Sequence, residues 1–182
     1  VKVIGVVGLP ASGKGEFSRV ARSLGIPVVV MGDVIREAVV RAGLPATDGN
    51  LGETANRIRK ERGMAAIAEL SLPAIEQEDA PVVLVDGLRG DAEVDLFRAR
   101  FAEFYLIGIE APFATRLARL SSRGREDDGM TEEELVRRDR REISWGLGRA
   151  LAESDYLVCN DGTVEEFEEK VRSLLAEIRE GP

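Results

Sequence analysis

The chain opens with VKVIGVVG, Val1 to Gly8, and continues LPASGKG, Leu9 to Gly15. The first run is β-branched, of strand length, and ends at a glycine. Beyond it, Phe17, Val20, Ala21 and Leu24 fall at helical spacing. A buried strand that turns through two glycines and a lysine straight into a helix can do little else but form a nest of backbone N–H groups. Such a nest binds anions, and the positive end of the following helix adds to it. Gly8-x-x-x-x-Gly13-Lys14 matches the P-loop through its lysine. Gly8 and Gly13 keep a Cβ out of the way of a phosphate. Leu9, Pro10, Ala11 and Ser12 supply the turning backbone, Ser12 adds a hydroxyl donor, and Lys14 brings a mobile charge to the β- and γ-phosphates.

The rest of the chain repeats the strand–helix alternation. PVVVM (Pro27–Met31), PVVLVDG (Pro81–Gly87), EFYLIGIEA (Glu103–Ala111) and YLVCN (Tyr156–Asn160) read as four further strands. Asp33 to Ala42 reads as a helix, and Asp48 to Asn50 as a turn-rich break. A long helical stretch from about Glu53 to Asp79 is expected to kink or split at Pro73. Thr131 with Glu134 and Thr163 with Glu166 fit capping boxes. After the second box, Val164, Phe167, Val171, Leu174, Leu175 and Ile178 form one apolar stripe. Continuous apolar strands alternating with helices imply a parallel sheet covered on both faces. The expected fold is a single α/β domain over 1–182, a three-layer sandwich of the P-loop NTPase kind. Its five-stranded parallel sheet carries an acceptor-binding insert at about 33–79 and a small lid at about 119–141. Ligands in such sheets lie beyond the carboxyl ends of the strands, where Asp33, Arg36, Asp86, Arg89, Asn160 and Asp161 fall.

Composition narrows the chemistry. With no histidine, imidazole catalysis and histidine–metal ligation are excluded, and the single Cys159 excludes an internal disulfide. Cys159 sits in an apolar run and is expected in the core. A net charge of −8 argues against a general grip on nucleic acid. Yet arginines crowd into Arg57–Arg62 and Arg116–Arg141, while lysine occurs only at positions 2, 14, 60 and 170. Local arginine clusters in an acidic chain suit a small, phosphate-rich ligand. No apolar run reaches membrane-spanning length and no signal peptide is legible, so a soluble cytoplasmic protein is expected.

Phosphoryl transfer needs positioning and charge neutralisation above all. Gly15 stands where a P-loop normally has a hydroxyl that touches magnesium. A Mg²⁺ ion would then depend on phosphate oxygens, water and a carboxylate, and Asp86 at a strand end is the metal candidate. Arg119 and Arg123, four apart, share a helix face and are the lid candidates for the transition-state charge. Arg138 and Arg141 can do the same from the next helix, or each can pair with neighbouring acids. GREDDG (Gly124–Gly129) has the short, charged, glycine-bounded form of a hinged lid. Three roles are open to Asp33: general base toward a hydroxyl acceptor, partner of the metal shell, or helix N-cap. Arg57, Arg59 and Arg62 fit an acceptor-covering segment or pairing with Glu53 and Glu61. The loop after the fifth strand, with Asn160 and Gly162, is the expected seat of the donor base.

These elements resemble the nucleoside monophosphate kinases, adenylate kinases in particular. Gly8, Pro10, Gly13, Lys14 and Gly15 reproduce their Gly-x-Pro-x-x-Gly-Lys-Gly loop, with Glu16 where a threonine or serine is common. MGDVIREAVVRAG (Met31–Gly43) resembles their Gly-Asp-x-x-Arg element. This implies that Asp33 lies near metal and acceptor and that Arg36 grips the acceptor phosphate. VDGLRG resembles their Asp-Gly-x-Pro-Arg element, one residue shorter and without proline, which gives Arg89 the same task. RLARLSSRGREDD (Arg116–Asp128) resembles the start of the mobile lid. The chain is most similar overall to an archaeal family of adenylate-kinase-like predicted nucleotide kinases. It also resembles dephospho-coenzyme A kinase, although SLPAIE (Ser71–Glu76) stands where that family carries a His-Pro pair. The resemblance implies ATP and Mg²⁺ as cofactors and γ-phosphoryl transfer to a nucleotide-like small molecule. Two alternatives stand beside it: transfer to a hydroxyl, as on dephospho-coenzyme A, and an ATPase switch or assembly factor.

Overall fold

The computed structural model describes residues 1–122 and 131–181. Five parallel strands lie in the order β2-β3-β1-β4-β5: β1 (Lys2–Gly8), β2 (Val28–Val30), β3 (Val82–Asp86), β4 (Phe104–Glu110) and β5 (Tyr156–Cys159). The strand alternation divides β1 between two cores. Val3 and Val7 face α4 (Ala66–Glu76), α5 (Asp91–Arg100) and α8 (Gly148–Ala152), while Ile4 and Val6 face α1 (Lys14–Ser23) and α9 (Val164–Glu180). A strand buried on both faces must be apolar at every position, which is why VKVIGVVG shows no alternation. Because β1 pairs with both β3 and β4, the chain leaves it in opposite directions across the sheet, and a crevice opens at its carboxyl end.

α2 (Gly32–Arg41), α3 (Asp48–Arg62) and α4 fill the insert between β2 and β3. Here the helix boundaries differ from those expected. Asp48 to Asn50 is the start of α3, not a break: Thr47 caps it by accepting a hydrogen bond from the Asn50 N–H at 3.3 Å. The long helical stretch divides at Gly63, in the left-handed region at φ 99°, and Pro73 remains inside α4. Pro73 and Glu69 are both exposed, so water can serve the carbonyl that the missing N–H leaves unbonded.

α6 (Phe113–Ser122) follows β4, and α7 (Glu132–Glu142) runs through a π turn, Ile143–Leu147, into α8. Both predicted capping boxes form, at Thr131–Glu134 and Thr163–Glu166. The α9 stripe is buried at Phe167, Val171, Leu175 and Ile178, with Val164 exposed at its start. Cys159 is exposed instead of buried, because β5 is an edge strand whose buried residue, Val158, turns toward α9; Cys159 shares the other face with exposed Leu157. No helix among the described residues is long and apolar enough to cross a membrane.

Candidate active site

Strand β1 delivers the chain to a loop whose backbone leaves ordinary space twice. Ala11 takes φ 59° and Gly13 φ 120°. Gly13 meets two demands at once, because a Cβ there would also collide with Asn160 Nδ2. The outward carbonyls are taken up by donors. Arg116 Nη1 donates to Pro10 O (3.3 Å), Arg119 Nη1 to Ala11 O (3.1 Å), and Asn160 Nδ2 to Ser12 O (2.8 Å). With three successive carbonyls held by cationic or amide donors, the peptide dipoles of the loop are fixed with their negative ends toward this brace. The first N–H groups of α1 have no acceptor within the helix and are left for an anion.

Gly8, Pro10, Ala11, Ser12, Gly13, Lys14 and Gly15 line a cavity of about 450 Å³ together with Asp86, Arg89, Arg138 and Glu142. Lys14 Nζ donates to Gly8 O and to Leu9 O (3.0 Å). Burial pushes its pKa down from 10.5 to about 8; Glu142 and Asp86 oppose the change, and Arg89 and Arg138 add to it. Ser12 Oγ is buried with no hydrogen-bond partner among the described residues, an orphaned donor within the cradle of the kind a phosphate oxygen satisfies. Asp86 accepts from Ser18 Oγ at 2.8 Å, one turn into α1. A Cβ at Gly15 would meet nothing within 4 Å, so the place of the missing hydroxyl is open space.

A second cavity of about 550 Å³ adjoins the first. Arg89, Arg138 and Glu142 line both and so form the seam. Glu142 is buried, and one of its oxygens accepts from Arg89 Nη1 (3.2 Å) and Arg138 Nε (3.4 Å). The second cavity also takes Arg36 from α2, Arg59 from α3, and Arg141 and Trp145 from the α7 side. The π turn places Trp145. Gly146 within it has φ 94°, and a Cβ there would strike the Asp91 carboxylate. Glu93, buried on α5, accepts from the Arg89 backbone N–H at 2.6 Å, which fixes the loop after β3.

The structure brings most of the anticipated residues together and sets a few apart. Gly8, Pro10–Gly15, Asp86 and Arg89 line the first cavity, and Arg36 lines the second. Leu9 packs instead against the core beneath α4 and α5. Asp33 lines neither cavity. It is 57 % exposed, pairs with Arg36, and lies in the first turn of α2, whose N-cap is Met31. Arg119 stands behind the loop and not over the phosphate side. Besides Ala11 O it reaches Asn160 O and Oδ1, both at 3.0 Å. Asn160 is buried with its side chain committed to this brace, so it positions the loop instead of presenting itself to a base. Gly162 packs against Glu166. Arg123 and GREDDG lie outside the described residues. Sequence reasoning missed Glu142, Glu93, Ser18 and Trp145. The i,i+4 spacing of Arg138 and Glu142 was a legible sign of a pair, but nothing in it announced a seam between cavities.

Comparisons with known proteins agree with this architecture. The family model described as "AAA domain" matches residues 7–136. A UPF0200 protein of Methanoculleus marisnigri is 58% identical over 98% of this chain and 97% of its own length. One from Methanoregula boonei is 57% identical over 100% of both. Among solved structures, the shikimate kinase of Bacteroides thetaiotaomicron superimposes with a TM-score of 0.63 at 17% identity, covering 97% of this chain and 99% of that one. At that identity the likeness concerns the fold.

Proposed function

Since this chain belongs to the UPF0200 family and has the fold of P-loop kinases, we propose that it is an ATP-dependent phosphotransferase acting on a nucleotide-like small molecule. One observation carries the reading: a P-loop cavity and an arginine-lined cavity meet at a shared seam, Arg89–Glu142–Arg138. A triphosphate tail in the first points its γ-phosphate toward whatever the second holds. An ATPase switch has no need of the second cavity.

The loop N–H groups, Ser12 Oγ and Lys14 hold the tail. Lys14 exchanges two carbonyl partners for phosphate oxygens, so its charge is already in place when negative charge builds on the equatorial oxygens. Asp86, with water, would hold Mg²⁺, which neutralises phosphate charge when bound. Arg89 and Arg138 face both cavities and serve donor and acceptor phosphates alike, with Arg36 on the acceptor side. The phosphate of a nucleoside monophosphate is already ionised, so no base is required. This favours it over a hydroxyl acceptor, since Asp33, the base candidate, lies outside both cavities.

The test incubates the protein with ATP and Mg²⁺ and measures ADP release with each nucleoside monophosphate, with dephospho-coenzyme A, and with no acceptor. Release that rises at least tenfold with a monophosphate supports the proposal. Release indifferent to every acceptor overturns it in favour of a switch. Lys14→Ala should cut turnover by on the order of a thousandfold, as loss of a transition-state donor does.

A further inference from the structure

The second cavity holds more positive charge than one acceptor phosphate requires. Five arginines line it: Arg36, Arg59, Arg89, Arg138 and Arg141. Three carboxylates answer them: Asp33 pairs with Arg36, Glu142 with both Arg89 and Arg138, and Glu93 faces Arg59. The shortfall gathers at one end. Arg141 has no carboxylate partner among the described residues, and its guanidinium carbon lies 5.6 Å from the centroid of the Trp145 ring. Arg59 lies 5.8 Å from the same ring. Its side chain is only 13 % exposed, yet the carboxylate oxygen it faces, Glu93 Oε1, is 3.7 Å away and has no hydrogen-bond partner among the described residues.

A guanidinium this buried is costly unless its donors are met, and burial holds the Arg59 pKa below its usual value. Arg59 and Arg141 line the second cavity but not the first. A group receiving the γ-phosphate must lie at the seam, with Arg89 and Arg138. The two surplus arginines therefore face a different part of the acceptor. We infer that Arg59 and Arg141, set against Trp145, form a second anion subsite, so that the acceptor carries a phosphate or carboxylate in addition to the group that is phosphorylated. Planar guanidiniums suit such oxyanions through paired N–H donors. The inference rests on the proposed reading for the word acceptor, but its test reads binding alone.

Trp145 is the chain's only tryptophan, so intrinsic fluorescence of the full chain reports on this subsite directly. The titrants are adenosine, adenosine 5′-monophosphate and adenosine 3′,5′-bisphosphate, with calorimetry as a second measurement of the same affinities. The wild type is expected to bind the bisphosphate at least tenfold more tightly than the monophosphate. That ratio should fall toward one in Arg141→Ala and in Arg59→Ala. It should persist in Arg172→Ala, a surface arginine on α9. Arg141 is exposed, so its variant stays informative even if Arg59→Ala, at a buried site, fails to fold. A wild-type ratio within twofold, a ratio that survives in Arg141→Ala, or no saturable binding of the bisphosphate overturns the inference. Adenosine binding as tightly as the bisphosphate does so as well, by making the pocket a ring site. Failure of the kinase reading shows up separately, as acceptor-indifferent ADP release.

Discussion

The ammonium of Lys14 waits on two carbonyls, among charges of both signs, with little water to solvate it. Burial therefore brings its pKa to about 8, against an ordinary 10.5. The native protein thus holds this proton less tightly than the unfolded chain. Between pH 8 and 10.5 the unfolded state binds more protons, so the contribution of this group to stability rises with pH across that window. Below pH 8 the buried charge is a constant burden. Lys14→Met should accordingly stabilise the ligand-free protein below pH 8 by up to about 3 kcal/mol, because each tenfold change in proton affinity corresponds to about 1.4 kcal/mol. The advantage should shrink as pH climbs toward 10. Urea titrations of both proteins from pH 7 to pH 10 measure this. A gain that does not change with pH would show that Lys14 is not charged at a cost. The same substitution should abolish ATP binding, so stability and function pull in opposite directions at this position.

Between elements, a two-bond ion pair ties α6 to α7. Arg116, 5 % exposed in its side chain, makes a two-bond pair with Asp139 at 2.9 and 2.8 Å and also donates to Ala111 O and Pro10 O. One guanidinium thus connects the end of β4, the phosphate loop and the helix that carries Arg138 and Glu142. Arg116→Ala leaves Asp139, 13 % exposed in its side chain, unpaired, and breaking a largely buried pair in this way costs up to about 3 kcal/mol. Arg116→Lys should recover only part of the loss, since an ammonium cannot make the parallel bonds. Chemical denaturation checks both; a loss under about 1 kcal/mol for the alanine variant would show that the pair is no more than a surface contact. The sequence announced an arginine cluster here without distinguishing the brace from the lid. Arg119 and Arg116 look alike in sequence to Arg138, but only the last lines the cavity at the loop after β1.

Taken whole, the molecule is one five-stranded sheet with two adjoining cavities at the carboxyl end of its central strand, and on the proposed reading ligand binding should register as global stability. A ligand that binds only the native state at a hundred times its dissociation constant adds about 2.7 kcal/mol. For a chain of this size that amounts to a rise of roughly 5–10 °C in Tm. MgATP should produce such a rise in the wild type and none in Lys14→Ala, as differential scanning fluorimetry can read; equal rises in both would place the nucleotide elsewhere. The fold was legible because it rests on local signals: β-branched runs of strand length, a strand–glycine–lysine–helix junction, and capping residues at fixed offsets. So was the cradle, since backbone geometry and one lysine define it within a single short loop. The insert was misjudged because Gly63 and Pro73 are both breakers in sequence, and only exposure lets the proline stay. The second cavity was legible only residue by residue: Arg36, Arg59, Arg89, Arg138 and Arg141 were each named from the sequence, but not their meeting around Trp145. Arg59, Arg89 and the continuous stretch from Arg138 to Trp145 come from three separate segments, and their meeting depends on a π turn at Gly146 and a buried Glu93. What the sequence determined by itself is the loop after β1 with its row of N–H groups, since donors adjacent along the chain suffice to build it. Which arginines face the cavities, and which hold the loop from behind, was decided only by packing, because charge is common along this chain and burial is what gives each one its task.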